Sequence, residues 1–292
     1  MTTTAPAARL LASTARRSYD PDVDIDWDAP LVDGMYYMQP ERISLYGTPM
    51  WQQLSDQQRV ELSKHEICSI ASVGVWFELI LMQLLTRRLF DEDSTTAEMQ
   101  YALTEIGDEC RHSVMFGKMV DAFGAPAYGA SRLAHELGRG FKTLGGGASA
   151  FASILVAEEV LDRLQRETMR DERVQPLSRM VSRIHVLEEA RHVTYARDMV
   201  QRLVPRLSRR RLAMHRALTA QVAFHIARSL VHPGAYRAVG LDPRVARRAA
   251  MANPHYRASL QWQAEKIVGF LREQDLVGGA SEQVWRRALL VP

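Results

Sequence analysis

One short unit occurs twice in this sequence and limits the folds open to it. In each copy a glutamate is followed, at the same interval, by a second glutamate, which begins the pattern Glu-x-x-His. The residues are Glu78, Glu109 and His112 in the first copy, and Glu158, Glu189 and His192 in the second. In a helix, residues three apart differ by about 60° around the axis and about 4.5 Å along it. Each Glu-x-x-His therefore places a carboxylate and an imidazole on one helix face, close enough to bind one metal ion.

The positions of prolines, glycines and capping residues predict long helices around these units, and no segment has the alternation of a strand. The four long helices are expected from Ser55 to about Phe90, from Ser94 to about Phe123, from about Ala148 to Arg170, and from about Pro176 to Leu203. Further helices are expected at 207–231, 243–252 and 255–273. Carboxylates from two helices and Glu-x-x-His from the other two are typical of ferritin-like carboxylate bundles. The sequence thus predicts an all-α fold with a ferritin-like four-helix bundle core and additional C-terminal helices.

The first fifty residues differ from the rest of the chain. The stretch SYDPDVDIDWDAP and the prolines at positions 40 and 49 interrupt every helical period. Aromatic residues at positions 27, 36, 37 and 46 indicate an arm that packs on something rather than a free tail. We therefore expect an extended N-terminal arm over residues 1–50 and a single helical domain over residues 51–292.

The segment from Ile67 to Leu85 is nearly as long and as apolar as a membrane span, with few polar side chains. Glu78 lies in its middle, where a lone carboxylate would be costly in a bilayer. No other segment resembles a second span, and a helix that is apolar on all sides is also typical of the centre of a large bundle. We interpret the segment as a bundle helix, with no membrane involved, in which Glu78 is a buried carboxylate that needs a partner.

Charge indicates what that partner is. Four glutamates converging in a dry core would repel one another, and burying them unpaired is prohibitive. Two divalent metal ions carry four positive charges and neutralise them. Mixed oxygen and nitrogen ligands suit iron or manganese, whereas zinc prefers fewer ligands and often sulfur. We expect two iron ions, with manganese as the alternative. Cys110 points about 100° away from the ligand face of Glu109 and is interpreted as a packing residue.

Four residues beside the ligand positions are candidates for supporting them. Asp108 and Glu188 each precede a ligand glutamate, so each points towards a neighbouring helix. We expect them to bond across the bundle to the ligand histidines or to Arg111 and Arg191. Such bonds would fix the imidazole tautomers. A structural ion pair between helices is the competing interpretation.

The two copies of the unit differ at one informative place. His185 lies four residues before Glu189 on the same helix face, whereas Glu105 holds the matching position in the first copy. His185 is either a third imidazole ligand or a core histidine bonded to a backbone carbonyl. Glu105 is either a supporting carboxylate near the metals or a solvated helix residue. The interval shared by the two copies selects Glu158 over its neighbour Glu159.

These residues together resemble the p-aminobenzoate N-oxygenase family of non-haem di-iron oxygenases, which includes enzymes that make the nitroaryl groups of antibiotics. The resemblance rests on Glu78, the two acid-Glu-x-Arg-His sequences at 108–112 and 188–192, Glu158 and His185, and it covers about residues 50 to 235. In that family an additional histidine ligand stands where His185 stands here. The resemblance therefore favours His185 as a metal ligand.

The resemblance implies a di-iron monooxygenase and a ligand set for each iron. Glu78, Glu109 and His112 would hold one iron with help from Glu158. Glu158, Glu189, His192 and His185 would hold the other. The resemblance further implies that the reduced site reacts with O2 as co-substrate. An amine nitrogen, that of an arylamine, would be oxidised to the hydroxylamine, nitroso and nitro levels. A homodimer is also implied.

Composition limits the partners. The chain has 37 basic and 34 acidic residues, and a net charge of +3 is too small to favour nucleic acid. Its two cysteines suit a reduced, cytoplasmic protein, and the N-terminal sequence lacks the apolar core of a signal peptide. Neither a glycine-rich dinucleotide fingerprint nor a P-loop is present. We therefore expect electrons from an external donor of the ferredoxin or reductase type.

The sequence leaves three other functions open. One is a di-metal hydroxylase or oxidase that attacks carbon, and another is a ferritin-like iron-binding or storage protein. A third is a radical-generating reductase subunit, which needs a tyrosine next to the metals. The arm and the additional C-terminal helices fit a closed substrate pocket better than a storage cage.

Overall fold

The computed structural model describes residues 6–16 and 18–292, and most of these residues are helical. The α-helices are α1 (Pro6–Arg16), α2 (Pro21–Asp24), α3 (Pro49–Gln53), α4 (Asp56–Leu89), α5 (Ala97–Ala122), α6 (Arg132–Leu144), α7 (Gly147–Thr168), α8 (Pro176–Leu203), α9 (Arg209–Ser229), α10 (Pro233–Ala238), α11 (Pro243–Ala252), α12 (Pro254–Glu273) and α13 (Glu282–Arg287). Extended pairing in this part of the chain is limited to one isolated bridge between Tyr36 and Val174. The predicted all-α fold is confirmed.

Four long helices, α4, α5, α7 and α8, form the bundle. Helix α4 packs on α5, α7 packs on α8, and α5 and α8 join the two pairs. Their ends lie within three residues of the predicted ends. The ferritin-like core predicted from the repeated unit is confirmed, and it brings the two copies of the unit face to face.

Helix α4 contains a long apolar stretch and begins at a capping box. The Ser55 hydroxyl accepts from the backbone N–H of Gln58, whose side chain in turn accepts from the Ser55 N–H. In the described residues α4 alone is long and apolar enough to cross a membrane, and 56% of its most apolar window is buried inside the protein. The core helix of a bundle has this composition because it is covered on several sides.

Helix α5 begins later than predicted. The sequence favours Ser94 as its cap, but the hydroxyl of Thr96 accepts from the backbone N–H of Met99 and fills that role. Asp93 explains the difference, because its carboxylate accepts from the backbone and hydroxyl of Thr95 and folds residues 93–96 into a turn.

The N-terminal arm is not extended throughout, which corrects the prediction for this part of the chain. Residues Pro6–Arg16 form α1, which packs against α5 and α8. The remainder is irregular, with two short helices, and its aromatic side chains pack on the body; Tyr37, for example, meets Phe123 edge to face at 4.7 Å. Residues 1–5 and 17 of the predicted arm lie outside the described residues. The division into an arm and a single domain over residues 51–292 stays a prediction.

The C-terminal helices pack around α7. Helices α9 and α12 pack on α7, and α13 packs on α9. Helix α6 packs on α4. This placement surrounds the N-terminal half of α7 and the middle of α4, which are the segments that lead to Glu158 and Glu78.

Candidate metal centre

The structure brings all seven predicted metal ligands together in the middle of the bundle. Each of the four long helices contributes at least one, and every one of these side chains is buried. Helix α4 supplies Glu78, α5 supplies Glu109 and His112, α7 supplies Glu158, and α8 supplies His185, Glu189 and His192. Their side chains form four overlapping groups whose nitrogen and oxygen atoms lie within 4.8 Å of one another, which is close enough to share metal ions.

The two Glu-x-x-His pairs meet at the centre of this cluster. His112 Nδ1 lies 3.0 Å from a Glu109 oxygen and 3.2 Å from a Glu189 oxygen. His192 Nδ1 lies 2.9 Å from Glu109 and 3.0 Å from Glu189. Both imidazoles thus direct Nδ1 at both glutamates. The spacing of three residues produces this arrangement because it places each histidine beside the glutamate of its own helix.

His185 occupies the side of the cluster next to Glu78 and Glu158. Its Nε2 lies 3.6 Å from Glu189, 3.8 Å from Glu78 and 4.0 Å from Glu158, too far for hydrogen bonds. Two ligands of one ion with bonds of about 2.1 Å lie about 3.0 Å apart when adjacent and about 4.2 Å apart when opposite. The separations around His185 fall within this range.

Unsatisfied atoms show that the residues fit a metal. Within the described residues, Glu78 Oε2, Glu189 Oε2 and His185 Nε2 are buried and have no hydrogen-bond partner. His185 Nδ1 lies 2.8 Å from Gln165 Oε1, an acceptor, so Nδ1 carries the proton and Nε2 presents a lone pair. Burial lowers the pKa of His185 to about 4, which keeps the ring neutral near pH 7. A neutral lone pair facing carboxylates is unfavourable until a cation lies between them.

Two further carboxylates fix the orientation of the His112 and His192 rings from the side away from the centre. Glu188 lies 3.0 Å from His112 Nε2, and Asp108 lies 3.2 Å from His192 Nε2. Each bond crosses from one Glu-x-x-His helix to the other. Because Nε2 donates outward, Nδ1 of each ring is the nitrogen that would bind a metal ion once the ion displaces its proton. Arg191 lies between the two carboxylates, 3.3 Å from Asp108 and 3.5 Å from Glu188.

The remaining predicted residues lie around this layer. Arg111 contacts Asp108 on its own helix. Glu105 is buried one turn before Glu109, and burial raises its pKa to about 8, but it belongs to none of the four ligand groups. Glu159 is turned away from the centre and pairs with Arg197 at 2.5 and 2.8 Å. Glu158, which the interval shared by the two units selects, thus lies in the cluster, and Glu159 does not. Cys110 points away as predicted, but it is exposed rather than packed.

Protonation reflects the crowding of negative charge. Burial and the neighbouring glutamates raise the pKa of both Glu78 and Glu158 well above the ordinary value. Burial and a neighbouring glutamate act the same way on Glu109, but the two imidazoles outweigh them and lower its pKa to about 2. The metal-free centre thus favours the protonated form of Glu78 and Glu158, and a bound cation would compete with those protons.

Sequence reasoning did not identify two groups that support the centre. Gln165 lies seven residues after Glu158, on the same face of α7, and that spacing was a usable signal. The backbone N–H of Tyr19 donates to Glu188 at 3.0 Å and ties the arm to the outer carboxylates. A backbone donor from a segment 169 residues away carries no sequence signal.

The fold and the centre define a class: an all-α, ferritin-like bundle whose core can hold two metal ions. The sequence profile described as "P-aminobenzoate N-oxygenase AurF" matches residues 2–275 of the chain. The chain belongs to this family of di-iron oxygenases. The residues that predicted the family are those that form the centre.

Curated relatives with the same similarity include uncharacterized proteins of Mycobacterium tuberculosis (strain ATCC 25618 / H37Rv) and Mycobacterium bovis (strain ATCC BAA-935 / AF2122/97). Each is 31% identical over 209 residues, which cover 69% of this chain and 62% of the relative. The match thus spans less than two thirds of the length of these relatives.

Proposed function

We propose that this protein is a di-iron monooxygenase that oxidises an amine nitrogen, with an arylamine as the substrate type. The observation that carries the proposal is the seven-residue centre, with its third histidine, beside an apolar cavity that reaches Glu158. A storage protein has no need for such a cavity. Carbon hydroxylation is the competing chemistry, and only the product distinguishes the two.

The protein's residues would hold the two irons, orient the imidazole ligands and exclude water. The seven residues of the centre would hold the two irons: Glu78, Glu109, His112, Glu158, His185, Glu189 and His192. The two irons supply the activation of O2 when they are bound. Asp108 and Glu188 hold the imidazole protons on the outer side, and the buried bundle excludes water from the reacting nitrogen.

The first oxidation requires two electrons from an external donor. One oxygen atom of O2 replaces a hydrogen of the amine as N–OH, and the other leaves as water after two electrons and two protons are added. We propose that a ferredoxin or reductase supplies those electrons.

We also propose a cytoplasmic homodimer. The free thiols of Cys68 and Cys110 support the location. Leu103 and Val114, exposed on one face of α5, support the pairing.

An anaerobic ferrous-iron titration followed by exposure to O2 tests the proposal. We expect two irons per chain in the wild type, at most one tightly held in Glu158→Gln, and two in the neighbouring control Glu159→Gln. With reductant and an arylamine, mass spectrometry with labelled O2 should show oxygen on nitrogen. Oxygen on carbon alone would contradict N-oxygenation, and continued iron uptake far beyond two would favour storage.

A further inference from the structure

Two cavities meet at the metal centre. The inner one, about 40 Å³, lies against Glu78, His185 and Phe116. The outer one, about 530 Å³, runs from the surface between α4, α6, α7 and α9. Phe77, Ala157 and Glu158 line both cavities. The inner end of the outer cavity therefore lies against Glu158, one of the predicted metal ligands. The inner cavity has room for little more than a small terminal group, whereas the outer one has the size of a ligand site.

Helix α6 forms the cover of the outer cavity. Gly138 lies against Trp76 so closely that a Cβ there would come within 2.4 Å of the indole ring. This close approach lets α6 pack directly on α4, and Trp76 and Phe141 line the cavity. The rest of the wall is mainly aliphatic, including Ile80 and Ile154. A molecule bound there would be surrounded chiefly by hydrocarbon.

The charges around the cavity disfavour an anion. Among the described residues that line either cavity there is no lysine or arginine, and the charged ones are glutamates. Arg87, near the cover, is engaged by carbonyl oxygens, including that of Lys142 at 2.9 Å. Glu136, at the mouth, is exposed and pairs with Arg139. Burial lowers the pKa of His225, so this lining histidine is neutral near pH 7.

Among the described residues that line the outer cavity, one has a buried polar atom without a partner. Ser153 lines the outer cavity one turn before Ala157, and its side chain is 4% exposed. Its hydroxyl has no hydrogen-bond partner within the described residues. A buried hydroxyl without a partner loses the hydrogen bond it would have in water. The buried part of the outer cavity therefore offers a ligand one neutral hydrogen-bonding group and no cationic side chain.

We infer that the substrate is an uncharged amine with a mainly apolar body, and that carboxylated arylamines such as p-aminobenzoate are excluded. The inference rests on the proposed function, because it assigns the substrate class of that same site. The amine nitrogen enters first and reaches Glu158, the apolar body fills the space under α6, and a neutral polar substituent bonds to Ser153. A carboxylate would have to give up its hydration without gaining a cation.

Calorimetric titration of the diferrous protein without oxygen tests the inference. The ligands are 4-isopropylaniline and p-aminobenzoate, which have nearly the same shape and differ in charge. We expect the alkylaniline to bind at least about tenfold more tightly. Equal affinity, tighter binding of p-aminobenzoate, or no binding of the alkylaniline would overturn the inference. If the alkylaniline binds but O2 oxidises it on carbon alone, the proposed N-oxygenation fails, while the preference of the cavity for an uncharged ligand is upheld.

A charge placed in the cavity wall gives a second test. Leu218 lies on α9 at the mouth and is 36% exposed, so an arginine there can be solvated in the folded protein. We expect Leu218→Arg to tighten p-aminobenzoate binding about fivefold and to weaken alkylaniline binding. The control Val245→Arg adds the same charge at a residue that is 44% exposed on α11 and lines neither cavity. Identical effects of the two variants would show that the cavity does not bind the ligand.

Discussion

Glu66 is a buried carboxyl of α4 that takes no part in the metal centre, and it should make the protein less stable at alkaline pH. It accepts hydrogen bonds from the backbone N–H of Ser44 at 3.0 Å and from the Ser44 hydroxyl at 2.6 Å. That hydroxyl lies 2.9 Å from the hydroxyl of Tyr236. Burial outweighs these hydrogen bonds and raises the pKa of Glu66 to about 7.

The direction and size of the effect follow from this shift. The pKa rises from 4.5 in the unfolded chain to about 7 in the folded one, so folding favours the protonated carboxyl. Its stabilising contribution is fully present below about pH 4.5 and is lost as the pH rises through 7. At about 1.4 kcal/mol per pKa unit the total loss is about 3 kcal/mol, and about 2.5 kcal/mol of it falls between about pH 5 and pH 8.

Urea unfolding of the wild type and of Glu66→Gln across this pH range measures the effect. Glutamine can still accept one hydrogen bond from Ser44 but does not ionise, so its cost is independent of pH. The free energy of unfolding of the variant should rise relative to the wild type by about 2–3 kcal/mol from about pH 5 to pH 8. Glu273→Gln, at an exposed position of α12, is the control and should follow the wild type. Parallel profiles for Glu66→Gln and the wild type would refute the reasoning.

Three further predictions concern the centre and the assembly. Asp108→Asn removes the charge behind His192 and should weaken ferrous-iron binding about 10- to 100-fold in an anaerobic competition titration; unchanged affinity would exclude this support. Gln165→Leu frees the ring of His185 and should weaken one of the two iron-binding events about tenfold, whereas equal weakening of both would contradict a role specific to His185. Val114→Lys should convert the proposed homodimer to a monomer by light scattering, and a wild type that is already monomeric would contradict the proposal.

The sequence could predict the bundle and its centre because both depend on helical periodicity. The repeated interval between glutamates and the Glu-x-x-His spacing act through helices that are long and regular, so small errors at the ends do not move Glu78 or His192 off the inner face. The same regularity separates Glu158 from Glu159. The assignment of these residues as metal ligands stays a prediction.

Features that depend on local competition or on distant contacts were not predictable in this way. The turn at Asp93 moves the cap of α5 from Ser94 to Thr96. Helix α1 forms in a stretch that was expected to be extended, and it packs on α5 and α8. The cavity beside Glu158 results from the way α6 crosses α4, which no pattern within either helix specifies.

The bond from Tyr19 to Glu188 makes one backbone amide a sensor of the metal centre. Glu188 receives the Tyr19 N–H on one oxygen and faces His112 with the other. Binding of a cation at His112 polarises the imidazole and strengthens its hydrogen bond to the Glu188 carboxylate. We therefore expect the arm and the centre to become more ordered together. The exchange rate of this one amide hydrogen would then report iron loading. Removing the arm would loosen the centre from a position far away in the sequence.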